Sequence, residues 1–235
     1  MRLLSASCNL SHLAINSFIA LKFIIMAEKI KNIVFDLGGV ILDLSVDHTL
    51  QSFSELSGID KETVKRIFSA SPEFLSYEKG LMDDEEFRDF IRQVYNINAS
   101  DHNIDTSWNA MLRDIPVINL ELLKKLKETF NIYLLSNTNG IHLTHINEVL
   151  LPSITGEHSL DAYFHKAYYS HRMGKRKPDA EIFEQVLDEN NLRPHETLFL
   201  DDNAGNIEGA KALGIQTVYI TSATHILDYF NGQRN

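Results

Sequence analysis

Four short stretches of this chain carry residues whose types and order could do chemistry. They are IVFDLGG with Asp36, YLLSNTN with Ser136, Asn137 and Thr138, MGKRKPD with Lys177, and LFLDDNAGN with Asp201 and Asp202. Carboxylates that converge repel one another, and the usual remedy is a hard divalent cation held through oxygen ligands, for which Mg2+ is the natural occupant. Beside such an ion, Asp36 could attack phosphorus through one carboxylate oxygen while the other ligates the metal. Ser136, the Asn137 amide and Lys177 would then bind the phosphoryl oxygens. Taken singly, each group has a plainer reading. Asp36 is a turn aspartate, Asp201 and Asp202 a helix cap, and Lys175, Arg176 and Lys177 a solvated basic turn. What argues for a joint site is the fixed order, with the acids and the serine each following an apolar, strand-like run.

Those groups need a scaffold that brings strand ends together. From Lys31 onward, short apolar runs alternate with segments of helical period, the mark of a parallel sheet with crossover helices. The runs are Ile33 to Phe35, Ile132 to Leu135, Ala167 to Tyr169, Leu198 to Leu200 and Thr217 to Ile220. AEIFEQVLDEN and NIEGAKALG read as helices, the second stopped by Gly214. In an open parallel sheet the carboxyl ends of neighbouring strands form one crevice, which is where the four stretches would meet. The glycines after Asp36 let the backbone turn sharply there.

Between the first two runs the chain is far longer than one crossover requires. DHTLQSFSEL, KETVKRIFSA, DDEEFRDFIRQVYN and SWNAMLRD show apolar residues at helical spacing, and Asp83 with Glu86 suggests a capping box. The fold class is therefore α/β, a Rossmann-like parallel sheet core with an inserted all-helical cap domain. The expected core is residues 30–44 and 116–235 and the expected cap residues 45–115, with hinges near Leu44 and Pro116. Residues 1–29 are expected to be an extension outside the fold. Their apolar runs are broken by Asn9, Ser11, His12, Asn16, Ser17 and Lys22, which suits neither an export signal nor a membrane span, and Met26 opens a plausible start.

Composition narrows the partners. A formal charge of −10 without a long Lys/Arg run argues against nucleic acid. The single cysteine, Cys8, rules out an intramolecular disulfide and a cysteine-based zinc cluster, which fits a cytoplasmic protein. A small phosphorylated metabolite is the expected partner.

The order VFDLGG, LLSNTN, GKRKPD, FLDDNAGN resembles the four motifs of the haloacid dehalogenase superfamily, over roughly residues 31 to 222. The likeness is to bacterial members that hydrolyse sugar phosphates such as glucose 1-phosphate. It implies Asp36 as nucleophile and Mg2+ ligand, Gly38 as ligand through its carbonyl, Asp202 as the principal further ligand, Asp201 in support and Asn206 behind them. Most phosphatases of the family carry an acid/base aspartate two residues after the nucleophile, and this chain has Gly38 instead. Loss of such a group typically costs ~100- to 10,000-fold. Asp43 and His48 are candidate substitutes. The departure leaves open a metal-independent dehalogenase and a catalytically weak phosphate-pocket binding protein. Tyr77, Glu78, Lys79 and Gly80 resemble a loop that faces the active site in related proteins, Arg113 is a candidate anion contact, and Trp108 and Phe87 read as packing residues.

Overall fold

The computed structural model describes residues 29–232. The extension expected over residues 1–29 lies almost wholly outside the described residues.

All five apolar runs are strands: β1 (Asn32–Phe35), β2 (Asn131–Ser136), β3 (Lys166–Tyr169), β4 (Thr197–Asp201) and β5 (Gln216–Tyr219). They form one parallel sheet in the order β3-β2-β1-β4-β5. Successive side chains on a strand point to opposite faces, and the packing follows that period of two. Ile33, Phe35, Ile132, Leu134, Leu198 and Leu200 join one apolar cluster, while Val34, Tyr133, Leu135 and Phe199 join the other. Runs with no polar alternation thus reflect strands buried on both faces.

The helices are α1 (Val46–Ser57), α2 (Lys61–Ala70), α3 (Glu73–Glu78), α4 (Asp84–Tyr95), α5 (Asp101–Asn109), α6 (Val117–Lys127), α7 (Gly140–His145), α8 (Leu151–Thr155), α9 (Ser170–Met173), α10 (Ala180–Glu189), α11 (Ala204–Ala212) and α12 (His225–Asn231). Leu120, Leu123, Ile226 and Phe230 from α6 and α12 pack in the first cluster, and Ile182, Phe183, Ile207 and Ala210 from α10 and α11 pack in the second. The result is a sheet between two helical layers. Among the described residues, no helix is long and apolar enough to cross a membrane.

Helices α1 to α5 occupy the insertion between β1 and β2. The capping box is present, with Asp83 accepting from the Glu85 and Glu86 amides and Glu86 accepting from the Asp83 amide. SWNAMLRD departs from its expected helical form: α5 ends at Asn109, and the following residues run antiparallel beside the segment leaving β1. Ser45 donates to Met111 O, Asp43 to Asp114 O and Arg113 to Asp43 O, each at 2.9 Å. Pairing two extended linkers satisfies backbone groups that a longer helix would have satisfied internally. Helix α3, only six residues long, had no periodic signature to reveal it.

Candidate active site

Register brings the polar strand ends together. Phe35 lies opposite both Leu134 and Leu200, so the next position on β1, Asp36, emerges beside the ends of β2 and β4. The Asp36 amide donates to Leu200 O at 2.9 Å. The chain fills one side of β1 with β2 and β3 and the other with β4 and β5, so β1 is where the winding reverses and a crevice opens.

Lys177 reaches into that crevice and is only 1% exposed. Its Nζ donates to Asp36 Oδ1 at 2.6 Å and to Asp201 Oδ2 at 2.7 Å, and sits 5.3 Å from the centre of the Phe199 ring. The reading of residues 175–177 as a solvated turn therefore fails for the lysine that matters. Asn137 shows how the loop is held. Its side chain accepts from the Lys177 amide at 2.9 Å and donates to the Lys177 carbonyl at 3.0 Å, so it clamps the backbone that carries the ammonium. Ser136 ends β2, buried, and borders the same cavity.

Asp201 is fully buried and its oxygens are committed. Asn206 Nδ2 donates to both at 3.0 Å, and the Asn203 amide donates to Oδ1 at 2.7 Å. Asp202, in contrast, is exposed. One carboxylate oxygen from each of Asp36, Asp201 and Asp202 lies within 4.8 Å of the others. Burial pushes the Asp36 carboxyl up to about 7, opposed by the Lys177 ammonium and reinforced by Asp201. Burial and Asp201 also raise Asp202. For Lys177, burial pulls downward, but the two carboxylates leave it raised on balance. One ammonium, paired with two of the acids, thus stands against three, and the cluster has an excess of negative charge that a divalent cation would relieve.

The turn after β1 is built for close approach. Gly39 has φ +72°, and a Cβ there would lie 2.1 Å from Asp202 Oδ2, so only glycine lets this turn meet the carboxylate. Gly38, half-buried, lines the cavity.

The cavity beside Asp36 holds about 190 Å³. Its floor is Asp36, Ser136, Asn137 and Lys177, and its walls include Glu78, Trp108, Asn139 and His142. A larger cleft of about 680 Å³ lies between α4, α5 and α7, lined by Arg88, His102, Asp105 and His145 among others. Its acids do not gather as Asp36, Asp201 and Asp202 do, and Arg88 there is tied to Asp105 at 2.8 Å, so it is the smaller space that collects the residues singled out in the sequence.

Two polar residues of the wall, Asn139 and His142, were missed from sequence, and both bond to Trp108. Trp108 Nε1 donates to Asn139 Oδ1 at 3.2 Å, Asn139 Nδ2 donates to His142 Nδ1 at 3.2 Å, and His142 Nε2 donates to the Trp108 carbonyl at 3.1 Å. The His142 ring also stacks on Trp108, 4.8 Å apart. Asn139 caps α7 by accepting from the His142 amide, a role that an Asn before Gly-Ile-His could have signalled. Nothing in the sequence marks His142. Trp108 and Phe87 are buried packing residues, as expected, and Trp108 borders the site as well.

This ring of hydrogen bonds requires a neutral imidazole. Burial holds His142 down at about 4, only partly countered by the Trp108 carbonyl. The unfolded chain therefore binds the extra proton between pH 6.5 and about 4, and stability falls as pH falls through that window, by about 3 kcal/mol at its acid end. Comparing urea midpoints of the native protein and His142→Gln from pH 7 to 4.5 tests this. The variant should show the shallower pH slope, and equal slopes would refute the assignment.

The other expected contacts divide. Asp43 and His48 are exposed and stand outside the cavity, Asp43 paired through its backbone to residues 113 and 114 and His48 bonded to Ser45 Oγ at 2.8 Å. Arg113 is likewise exposed and outside it. Of residues 77–80, only Glu78 lines the cavity. Tyr77 stacks on Phe87 and donates to Asp84 at 2.7 Å, Lys79 pairs with Asp179 at 3.1 Å, and Gly80 presses against His171, whose carbonyl would lie 2.0 Å from a Cβ at that position.

Comparison with known proteins gives the same direction. Residues 30–214 match the family described as haloacid dehalogenase-like hydrolase. The chain is 32% identical over 189 residues to D-ribitol-5-phosphate phosphatase of Bacteroides thetaiotaomicron, covering 80% of this chain and 90% of that protein. The crystal structure of a haloacid dehalogenase family enzyme from the same organism, in complex with magnesium and inorganic phosphate, superposes with a TM-score of 0.74 at 39% identity, over 81% of this chain and 93% of that one. A predicted hydrolase of the family from Porphyromonas gingivalis gives a TM-score of 0.78 at 27% identity, over 88% and 100%.

Proposed function

Because this chain belongs to the haloacid dehalogenase-like hydrolases and is a phosphoric monoester hydrolase of that family, we propose that it dephosphorylates a small sugar or polyol phosphate through Asp36, with Mg2+ at the strand ends. The observation that carries this reading is the buried Asp36–Lys177–Asp201 cluster with Asp202 beside it, at the floor of a small cavity.

Asp36, Asp202 and the Gly38 carbonyl would hold the ion, with Asp201 and Asn206 supporting them. The excess negative charge, the upward shifts of Asp36 and Asp202 and the close approach of Asp202 to the turn at Gly39 all fit a cation there. When bound, Mg2+ supplies positive charge that offsets the phosphoryl oxygens and keeps Asp36 ionised.

In the first step a carboxylate oxygen of Asp36 bonds to phosphorus and the bond from phosphorus to the alcohol oxygen breaks. In the second, water attacks the aspartyl phosphate, releasing inorganic phosphate and restoring Asp36. Lys177 orients Asp36 and offers positive charge to the phosphoryl group, and Ser136 adds a donor. Position 38 has no side chain to protonate the leaving oxygen, and Asp43 and His48 stand outside the cavity. We therefore assign that proton to water, which makes slow turnover of poor leaving groups part of the reading.

Helices α1 to α5 act as the cap, since Phe68, Glu78 and Trp108 come from them and close the space above the nucleophile. Size supports a short alcohol. A cavity of ~150 Å³ holds one benzene, so about 190 Å³ leaves room for a phosphoryl group and a few carbons. The converging acids argue against a metal-independent dehalogenase, which has no use for them.

Hydrolysis of p-nitrophenyl phosphate and of ribitol 5-phosphate, each with Mg2+ or with EDTA, tests the proposal. Turnover should require the metal. Equal activity in EDTA would remove Mg2+ from the scheme, and no hydrolysis of either ester would overturn the phosphatase reading for this site.

A further inference from the structure

One charged group on the cavity wall has no part in handling phosphate. Glu78, the last residue of α3, is fixed from two sides. Ser170 Oγ donates to its carbonyl at 2.6 Å, and Arg176 Nε and Nη2 donate to Oε2 at 3.2 and 3.0 Å. Both arginine bonds go to one oxygen, which leaves Oε1 without a donor among the described residues. The side chain is 28% exposed and borders the cavity. The lining of the same cavity also includes the apolar side chains of Leu42, Leu44, Val46, Phe68, Met111 and Leu112.

An ionised carboxylate is an acceptor only, so its complement is a donor. Where the alcohol of a phosphate ester would sit, that donor is a hydroxyl, and a hydrogen bond to a charged acceptor is roughly twice as strong as a neutral one. The same charge repels a second anion. A site that bonds a substrate hydroxyl also discriminates against the analogue lacking it, because its own polar group is then left unpaired.

We propose that Glu78 is the specificity-determining residue. It selects phosphate esters of neutral polyhydroxy alcohols over esters of plain alkyl alcohols, and rejects esters whose alcohol carries a carboxylate. Arg176 holds the carboxylate in place. The inference rests on the phosphatase reading above and names the substrate class for that site.

The test compares kcat/KM of the full chain with Mg2+ for ribitol 5-phosphate, n-pentyl phosphate and ribonate 5-phosphate, beside p-nitrophenyl phosphate. The native enzyme should favour the ribitol ester over the pentyl ester by about 10- to 100-fold, the usual weight of a hydrogen bond to a charged group, with the ribonate ester lowest. Glu78→Gln should narrow the ribitol-to-ribonate ratio by about tenfold or more, because the repulsion is gone.

Equal treatment of the three aliphatic esters by the native enzyme would overturn the proposal, and that comparison stands even if the variant does not fold. A uniform loss across all esters in Glu78→Gln would make Glu78 structural. A loss as large for the pentyl as for the ribitol ester, with p-nitrophenyl phosphate less affected, would make it a proton donor. Either result sinks the recognition role. Absence of p-nitrophenyl phosphate turnover in the native protein would instead remove the phosphatase reading, and this inference with it.

Discussion

Asp36→Asn is expected to lower kcat for p-nitrophenyl phosphate by about 10,000-fold or more, the scale seen when a covalent nucleophile is removed. Asparagine has nearly the shape of aspartate, so the packing at this buried position should survive. What disappears is the oxygen that bonds to phosphorus and the negative charge that Lys177 faces at 2.6 Å. A loss of metal affinity alone would be recovered by raising Mg2+, whereas loss of the nucleophile would not. The assay is therefore run across a Mg2+ titration, with acid quenching of the native enzyme to trap phosphorylated protein. A variant that keeps a tenth of native activity, or a native enzyme that incorporates no phosphate, would exclude the covalent route.

Lys177→Met should be the most damaging change to stability at the site. The ammonium is 1% exposed and lies between Asp36 and Asp201, which are 8% and 0% exposed. Removing one member of a buried charge group leaves the others uncompensated, at a typical cost of about 3–5 kcal/mol. Methionine preserves most of the volume, so the loss would be electrostatic rather than a cavity effect. Two acids without their cation should bind Mg2+ more avidly, and the ion stabilises the state it binds. Urea unfolding in EDTA should show the full deficit, and added Mg2+ should recover more of it in the variant than in the native protein. A midpoint in EDTA within about 1 kcal/mol of native would contradict the role given to Lys177 as the counter-charge of this cluster.

Much of this protein could be read along the chain because the relevant physics is local. A strand buried on both faces needs an uninterrupted apolar run, and Ile33 to Phe35, Ile132 to Leu135 and Leu198 to Leu200 supply one each. A side chain that takes up the free amides marks a helix start, and Asp83 with Glu86 declares one. The order of Asp36, Ser136, Lys177 and Asp201–Asp202 was legible for the same reason, since each sits next to an element with its own short-range signature.

What the tertiary structure alone decided are the pairings between residues far apart. Lys177 meets Asp36 across 141 positions, and no local property distinguishes a buried ammonium from the solvated turn that Lys175, Arg176 and Lys177 suggest. Likewise Arg176 finds Glu78 from 98 positions away, and Trp108 finds Asn139 and His142 only because α5 is laid against α7. The end of α5 at Asn109 was set by competition, since residues 111–114 bond to the segment leaving β1 rather than to their own helix. Asp43 and His48 look suitable by type but fall outside the cavity, Asp43 in the linker paired with residues 113 and 114 and His48 on α1. Periodicity and capping act over a few residues, and so the sequence by itself determined the elements and the residues able to do chemistry. Burial and charge pairing depend on how the sheet and helices are stacked, which is why only the folded chain decided which of those residues share one site.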